Sequence, residues 1–403
     1  MHTNVVIIGA GPAGLMLSHL LSQNGIDSII LEKRSRKEIE ETVRAGVLEQ
    51  GTVDLLKETG VGTRIEHEGF EHEGIYLQFG QKRERIDFPS LTGGKKVVVY
   101  PQHEVLKDLL KARIEDGAAI HFEVNEVKTH AIHSNKPYVT YTPVKGASEE
   151  TITCDYIAGC DGFHGPCRET VTESDCSEYE KLYDYGWLGV LAETEVASDE
   201  LVYANHENGF ALLSTRTPTL QRFYLQVDRK DDINLWSDDR IWTELKKRSD
   251  IGDGKELKDG PIVSKNIVSM RSYVCETMRK GNLFLAGDAA HIVPPTGAKA
   301  LNLAISDIQI LAEGLKERYH NGSENLLDRY EEIALQRIWK AQRFSSFMTT
   351  LLHTDVKKTK FERKIQESEF HYLVSSEAAK RSLAENYTGL PIEWGRALAP
   401  QYS

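Results

Sequence analysis

Val5-Val6-Ile7-Ile8-Gly9-Ala10-Gly11-Pro12-Ala13-Gly14 stands at the start of the chain, and its reading decides the fold. An apolar run feeds three glycines at the spacing G-x-G-x-x-G and then a helical stretch, which predicts strand, tight turn and helix. Gly9 permits the sharp turn, Gly11 lets the backbone approach a pyrophosphate, and Gly14 lets the helix pack closely on the strand. An anion there meets free N–H groups and the positive end of a helix dipole. A second apolar strand, Ser28-Ile29-Ile30-Leu31, ends at Glu32, where a carboxylate accepts hydrogen bonds from an adenosine ribose. Glycine-rich loops without a ligand match the short pattern alone. Strand, turn, helix, second strand and terminal acid in that order indicate an ADP-binding unit.

The rest of the chain sets bounds on that unit. Its 403 residues, 40% hydrophobic and 27% charged, suffice for two or three domains with a large buried core. A formal net charge of −12 argues against a nucleic-acid or anionic-membrane partner, each of which favours a basic surface. No run of eighteen apolar residues appears, and no basic leader precedes the first strand, so a cytoplasmic protein is expected. Five cysteines are an odd, sparse set that fits reduced thiols. Cys160 and Cys167 bracket His164 without the paired spacing of a zinc site, and no metal is expected.

Periodicity predicts a helix through Val53, Leu55 and Leu56 that Gly60 can cap, and another from about His103 to Glu115. Residues 72 to 100 alternate in strand fashion, and Ile152–Ala158 reads as one strand leading to Gly159-Cys160-Asp161-Gly162. From 183 to 270 aromatic, β-favouring segments take over, including Phe210–Leu213 and Arg222–Val227. The chain then returns to a nucleotide-fold strand, Leu283-Phe284-Leu285-Ala286, which ends in Gly287-Asp288 and a Pro294-Pro295-Thr296-Gly297 loop before long helices. The expected fold is α/β (α+β). A Rossmann-like nucleotide-binding domain spans 1–182, a substrate-binding sheet domain is inserted at 183–270, and 271–403 complete the first domain and add a helical C-terminal region.

Three motifs, the glycine turn, Asp161-Gly162 and Gly287-Asp288, occur together in the FAD-dependent aromatic hydroxylases. The chain resembles that family, and within it the members acting on 4-hydroxybenzoate, over nearly its whole length. Arg44-Ala-Gly-Val-Leu-Glu-Gln50, Asp155–Gly165, Gly186-Trp-Leu-Gly189, Tyr203-Ala-Asn-His206 and Gly287–Lys299 carry the likeness. The resemblance implies hydroxylation of 4-hydroxybenzoate to 3,4-dihydroxybenzoate with O2 and NAD(P)H through a flavin hydroperoxide, in a homodimer. Another phenol, such as 3-hydroxybenzoate or salicylate, and a non-catalytic nucleotide-binding protein are the rival readings.

Site roles follow from the same likeness. Ser214, Arg216 and Tyr224 would clamp the carboxylate, a set that suits it chemically because a guanidinium fork and two hydroxyls match its two oxygens. Tyr203 would bond the phenol, Tyr387 and His72 would carry its proton to solvent, the Pro295 carbonyl would accept from the phenol, and Thr296 would line the pocket. For FAD, the resemblance implies Gly9, Gly11, Gly14, Glu32, Arg44, Gln102, Asp161, Asp288, Gly297, Lys299 and Asn302. Ala300 departs from a family glycine, which puts close helix approach in question.

For the nicotinamide, His164 and Arg271 would meet the pyrophosphate. Lys33, Arg34, Arg36 and Lys37 place four cations in five residues and attract a phosphate, whereas Glu38 repels one; a solvated charged turn is the plain alternative. Relatives carry tyrosine and arginine at the positions of Glu38 and Thr42. The expectation is NADPH favoured modestly, with NADH accepted.

Overall fold

The computed structural model describes residues 1–42, 46–144, 146, 148–172, 176–355 and 358–395. The opening stretch forms the strand Val5–Ile8 and the helix Pro12–Gln23, joined at Gly9, whose φ of +105° only glycine adopts without strain. The strand is buried on both faces, as its unbroken apolar run requires of a parallel sheet. It sits inside a six-stranded sheet ordered Arg279–Lys280, Leu283–Leu285, Tyr156–Gly159, Val5–Ile8, Ser28–Leu31, Ala119–His121. Only the Arg279–Lys280 edge strand runs antiparallel.

A second sheet has eight strands, ordered His291–Ile292, Ile262–Cys275, Glu178–Glu193, Leu220–Asp228, Ala211–Thr217, Leu201–Asn205, Gly74–Phe79 and Lys82–Asp87. It extends beyond the expected 183–270 at both ends and recruits two strands from far upstream. Gly74–Phe79 pairs in parallel with Leu201–Asn205, a long-range contact that periodicity does not encode. The stretch expected as one strand at 152–158 is two, Glu150–Thr153 and Tyr156–Gly159, in different sheets. The predicted helices appear at Gln50–Glu58, with Gly60 at φ +83° just beyond it, and at Gln102–Glu115.

Helix Ala300–Asn321 packs on Pro12–Gln23, and helices Tyr330–Leu352, Lys360–Ser375 and Glu377–Thr388 meet one face of the eight-stranded sheet. An apolar cluster including Tyr203, Phe210, Phe344, Met348 and Tyr387 joins that sheet to these helices. Cys176 and Cys275 are free thiols with sulfurs 3.3 Å apart. Among the described residues no helix is long and apolar enough to cross a membrane.

Candidate active site

The two-residue period of a strand places Phe210, Leu212, Ser214 and Arg216 on one face. Cross-strand register extends this face, because Leu212 lies opposite both Tyr203 and Tyr224, and Tyr224 lies opposite Gly189. Trp187, two residues before Gly189, joins them. One side of the sheet thus presents four aromatic rings, the Ser214 hydroxyl and a guanidinium. A cleft of about 1080 Å3 opens on it, lined by Trp187, Arg216, Tyr224, Gln102, Asp288 and Pro295 among others.

Within the cleft wall, Ser214 Oγ and Arg216 Nη1 are buried without a hydrogen-bond partner. Burial lowers the pKa of Arg216, so the site holds a cation short of counter-charge. Buried polar groups are normally satisfied, and a carboxylate would satisfy both. Tyr203 and Tyr387 lie deeper, with hydroxyls 2.6 Å apart. Burial raises the pKa of each, so both stay protonated at neutral pH. His72 is buried on the strand Phe70–His72, its Nδ1 unpartnered and its pKa lowered by burial, with Glu200 opposing. Thr296 is also buried, its hydroxyl 3.0 Å from that of Thr349, while Pro295 is exposed to the cleft.

The nucleotide side is equally specific. A Cβ on Gly9 would meet the Cys160 carbonyl at 2.3 Å and one on Gly14 the Gly9 carbonyl at 1.9 Å, whereas one on Gly11 would meet nothing within 4 Å. Gly11 therefore borders open space at the helix N-terminus, where a pyrophosphate fits. Glu32 accepts from the Ala10 N–H at 2.6 Å and from the Arg34 backbone and side chain, which ties the acid to the glycine turn. Asp161 accepts from the Cys167 N–H at 2.9 Å, and its other oxygen is buried and unpartnered, with burial raising its pKa. Asp288 is exposed to the cleft at the carboxyl end of the parallel sheet. These features suit FAD: Gly11 would admit its pyrophosphate, and Asp161 and Asp288 would offer carboxylates to its hydroxyls.

Three residues expected at FAD have partners within the protein. Lys299 is buried, with its ammonium 2.7 Å from Glu49 and 3.0 Å from the Tyr387 carbonyl. Asn302 accepts from the Glu49 N–H and donates to the Val47 and Ala298 carbonyls, which fastens the strand Val47–Glu49 to the helix. Gly297 abuts Ser345, whose Oγ lies 2.4 Å from where a Cβ would stand. Arg44 lies outside the described residues. Ala300 is exposed and borders the cleft.

Around Phe163 gather His164, with ring centroids 5.1 Å apart, and Arg271, whose guanidinium is 4.5 Å from the ring. The basic segment is internally balanced. Arg34 pairs with Glu32, Arg36 with Glu40 and Lys37 with Glu41, and Glu38 closes a capping box on Ser35 that lowers its own pKa.

Sequence reasoning missed Asp307, which accepts from the Gly287 N–H at 2.9 Å and lies 2.6 Å from His291, so holding the Gly287-Asp288 turn. An acid inside the apolar run Leu301–Leu315 was its signal. Glu49 was missed as well; its partners come from more than two hundred residues away and leave no local trace.

A nucleotide fold of this kind, joined to a sheet whose aromatic face lines the same cleft, defines the class of FAD-dependent aromatic hydroxylases. The family described as FAD binding domain matches residues 2–345, and the chain belongs to it. It is 48% identical over 393 residues to p-hydroxybenzoate hydroxylase of Acinetobacter baylyi, covering 98% of this chain and 96% of that one. A more distant relative is 6-methylpretetramide 4-monooxygenase of Streptomyces rimosus, 25% identical over 81% of this chain and 79% of that one. Among solved structures, p-nitrophenol 4-monooxygenase from Pseudomonas putida superposes with a TM-score of 0.82, covering 97% of this chain and all of that one. At 16% identity that likeness concerns the fold alone.

Proposed function

We propose that this protein hydroxylates 4-hydroxybenzoate to 3,4-dihydroxybenzoate, using O2 and NAD(P)H. The observation that carries this is the pairing of two needs: one buried guanidinium nitrogen, Arg216 Nη1, and the Ser214 hydroxyl without hydrogen-bond partners, and a buried tyrosine pair whose Tyr203 lies on the same sheet face. A ligand with a carboxylate at one end and a phenol at the other answers both.

When bound, FAD takes a hydride from the nicotinamide and activates dioxygen. Residues 1–182 and 271–403 supply its bed and 183–270 most of the substrate wall. Ser214, Arg216 and Tyr224 bind the carboxylate and fix the ring. Tyr203 bonds the phenol oxygen and passes its proton to Tyr387, with His72 as the outlet. Losing that proton matters because a phenolate pushes more electron density onto the ortho carbon than a phenol does. The Pro295 carbonyl accepts from the phenol, and Thr296 packs beside it. The N-terminus of the helix Ala300–Asn321 directs its dipole at the flavin, where negative charge is stabilised. His164 and Arg271 hold the nicotinamide pyrophosphate, and Lys33, Arg34 and Arg36 favour NADPH over NADH. The protein works in the cytoplasm as a homodimer; Phe361, Ile365 and Tyr372, 74%, 56% and 58% exposed on one helix, supply an apolar stripe for pairing.

The test is aerobic incubation of the purified protein with 4-hydroxybenzoate, 3-hydroxybenzoate and salicylate and both nicotinamides, with the product identified by mass and position. Product from 4-hydroxybenzoate alone is expected. Turnover only with another phenol, or none at all, would reject the reading.

A further inference from the structure

The substrate face has a support that no role above accounts for, and its argument rests on the reading just given. Trp187 lines the cleft, its ring centroid 4.9 Å from that of Tyr224. Its indole N–H donates to His353 Nε2 at 2.7 Å in a buried bond, with Trp187 3% and His353 1% exposed. An indole nitrogen only donates, so Nε2 carries the lone pair. Nδ1 lies 3.0 Å from the Thr349 carbonyl, which only accepts, so Nδ1 carries the proton. The two partners fix one neutral tautomer, and burial pushes the pKa of His353 down to about 3.

The segment that carries the imidazole is tied both to a helix and to the sheet, so the ring is fixed relative to the strands that carry Tyr203 and Tyr224. Its own carbonyl accepts from Gln366 at 3.0 Å, the preceding Leu352 carbonyl from Asn205 at 2.8 Å, and the following Thr354 N–H donates to Gln226 at 3.0 Å. Imidazole and indole planes lie within 12° of each other. Phe210 stacks on both, at 5.1 Å from Trp187 and 4.6 Å from His353, and itself touches Tyr203 at 6.2 Å. One acceptor nitrogen is thus connected to Tyr224 through Trp187 and to Tyr203 through Phe210.

We propose that His353 is a positioning residue for substrate: by fixing the Trp187 indole, it holds the carboxylate end and the phenol end of the site at one separation. The test uses FAD-loaded protein carrying His353→Leu, His353→Gln, Trp187→Phe, and His353→Leu in the Trp187→Phe background. Substrate Kd is read from the flavin spectrum, with product per nicotinamide oxidised as a second measure. His353→Leu strands a buried indole N–H and should weaken binding roughly fivefold to a hundredfold with a lower product yield. His353→Gln, which still offers an acceptor, should recover most of both. Once Trp187→Phe has removed the donor, adding His353→Leu should cost little more.

Parent-like Kd and yield in His353→Leu overturn the proposal, as does an equal loss whether or not the indole is present. Should His353→Leu fail to fold, Trp187→Phe alone must show the weakened binding, and parent-like affinity there overturns it. A parent that does not bind 4-hydroxybenzoate at all instead rejects the function proposed above, so the two failures are distinguishable.

Discussion

At the scale of single residues, the carboxylate clamp and the tyrosine pair make separable demands. Arg216→Lys keeps the charge but loses the planar fork, and one charge-assisted bond removed from a buried carboxylate costs roughly 1.5–3 kcal/mol, or about tenfold to over a hundredfold in affinity. Titration of the flavin spectrum measures this, and equal dissociation constants would move the carboxylate elsewhere. Tyr203→Phe leaves the clamp intact, so substrate should still bind and flavin should still be reduced. General acid–base contributions are on the order of a hundredfold or more, so product formed per nicotinamide oxidised should drop, with hydrogen peroxide made instead. An unchanged yield removes Tyr203 from the chemistry. Strand character made it legible that Ser214 and Arg216 share a face, but the clamp role of Ser214, Arg216 and Tyr224 rests on the family resemblance, since each alone reads as an ordinary sheet residue. The Lys299–Glu49 pair was not legible, because nothing around position 299 signals a carboxylate two hundred and fifty residues earlier.

Elements add effects that single side chains do not show. The short helix Arg36–Glu41 carries its own counter-charges, and Arg34 and Arg36 are 39% and 52% exposed in their ion pairs. An open pair such as Arg36–Glu40 is worth about 0–1 kcal/mol, so a phosphate can displace its carboxylate, whereas Glu32 is 6% exposed and holds Arg34 more firmly. NADPH should therefore win modestly over NADH in kcat/KM at low salt, and Arg34→Ala/Arg36→Ala should erode the preference; an unchanged ratio means the cluster is no phosphate site. The C-terminal end of the helix Tyr330–Leu352 predicts a pH effect. His353, held neutral with a pKa of about 3 against an ordinary 6.5, binds fewer protons folded than unfolded between those values. Stability is then fully present above about pH 6.5 and falls as pH drops toward 3, by up to about 1.4 kcal/mol per unit for one such group. Acid melting of His353→Gln should show a shallower slope than the parent; parallel curves would contradict a neutral buried imidazole. Helix and turn positions were readable here because their signals are local, such as the glycine beyond Glu58. Strand pairing was not, since Gly74–Phe79 reads the same whichever neighbour it takes.

For the whole molecule, the proposed FAD bed would draw on the glycine turn, the start of the helix Pro12–Gln23, Asp161 and Asp288, and none of these is a covalent tether. The protein should purify yellow, and denaturation should release free flavin; colourless protein that FAD cannot reconstitute would falsify the entire reading. The nucleotide fold was legible from its first thirty-two residues because each glycine of the G-x-G-x-x-G turn has a distinct steric duty, two of them blocked by backbone atoms and one facing open space. The extent of the second sheet was hidden because its edge strands come from residues 74–87 and 291–292, outside the composition shift.

The tyrosine pair joins Tyr203, halfway along the polypeptide, to Tyr387 on the helix Glu377–Thr388, and the carbonyl of that same tyrosine caps the Lys299 ammonium. Translation runs from one end, so a growing chain completes its ADP-binding strands well before this helix leaves the ribosome. Until it does, Tyr203 lacks its hydroxyl partner and the buried lysine lacks a carbonyl. Synthesis therefore finishes the dinucleotide fold first and the substrate chamber last, and a stall or nonsense codon anywhere in the final helices yields a polypeptide with the flavin motifs in place and the phenol end of the chamber unsealed.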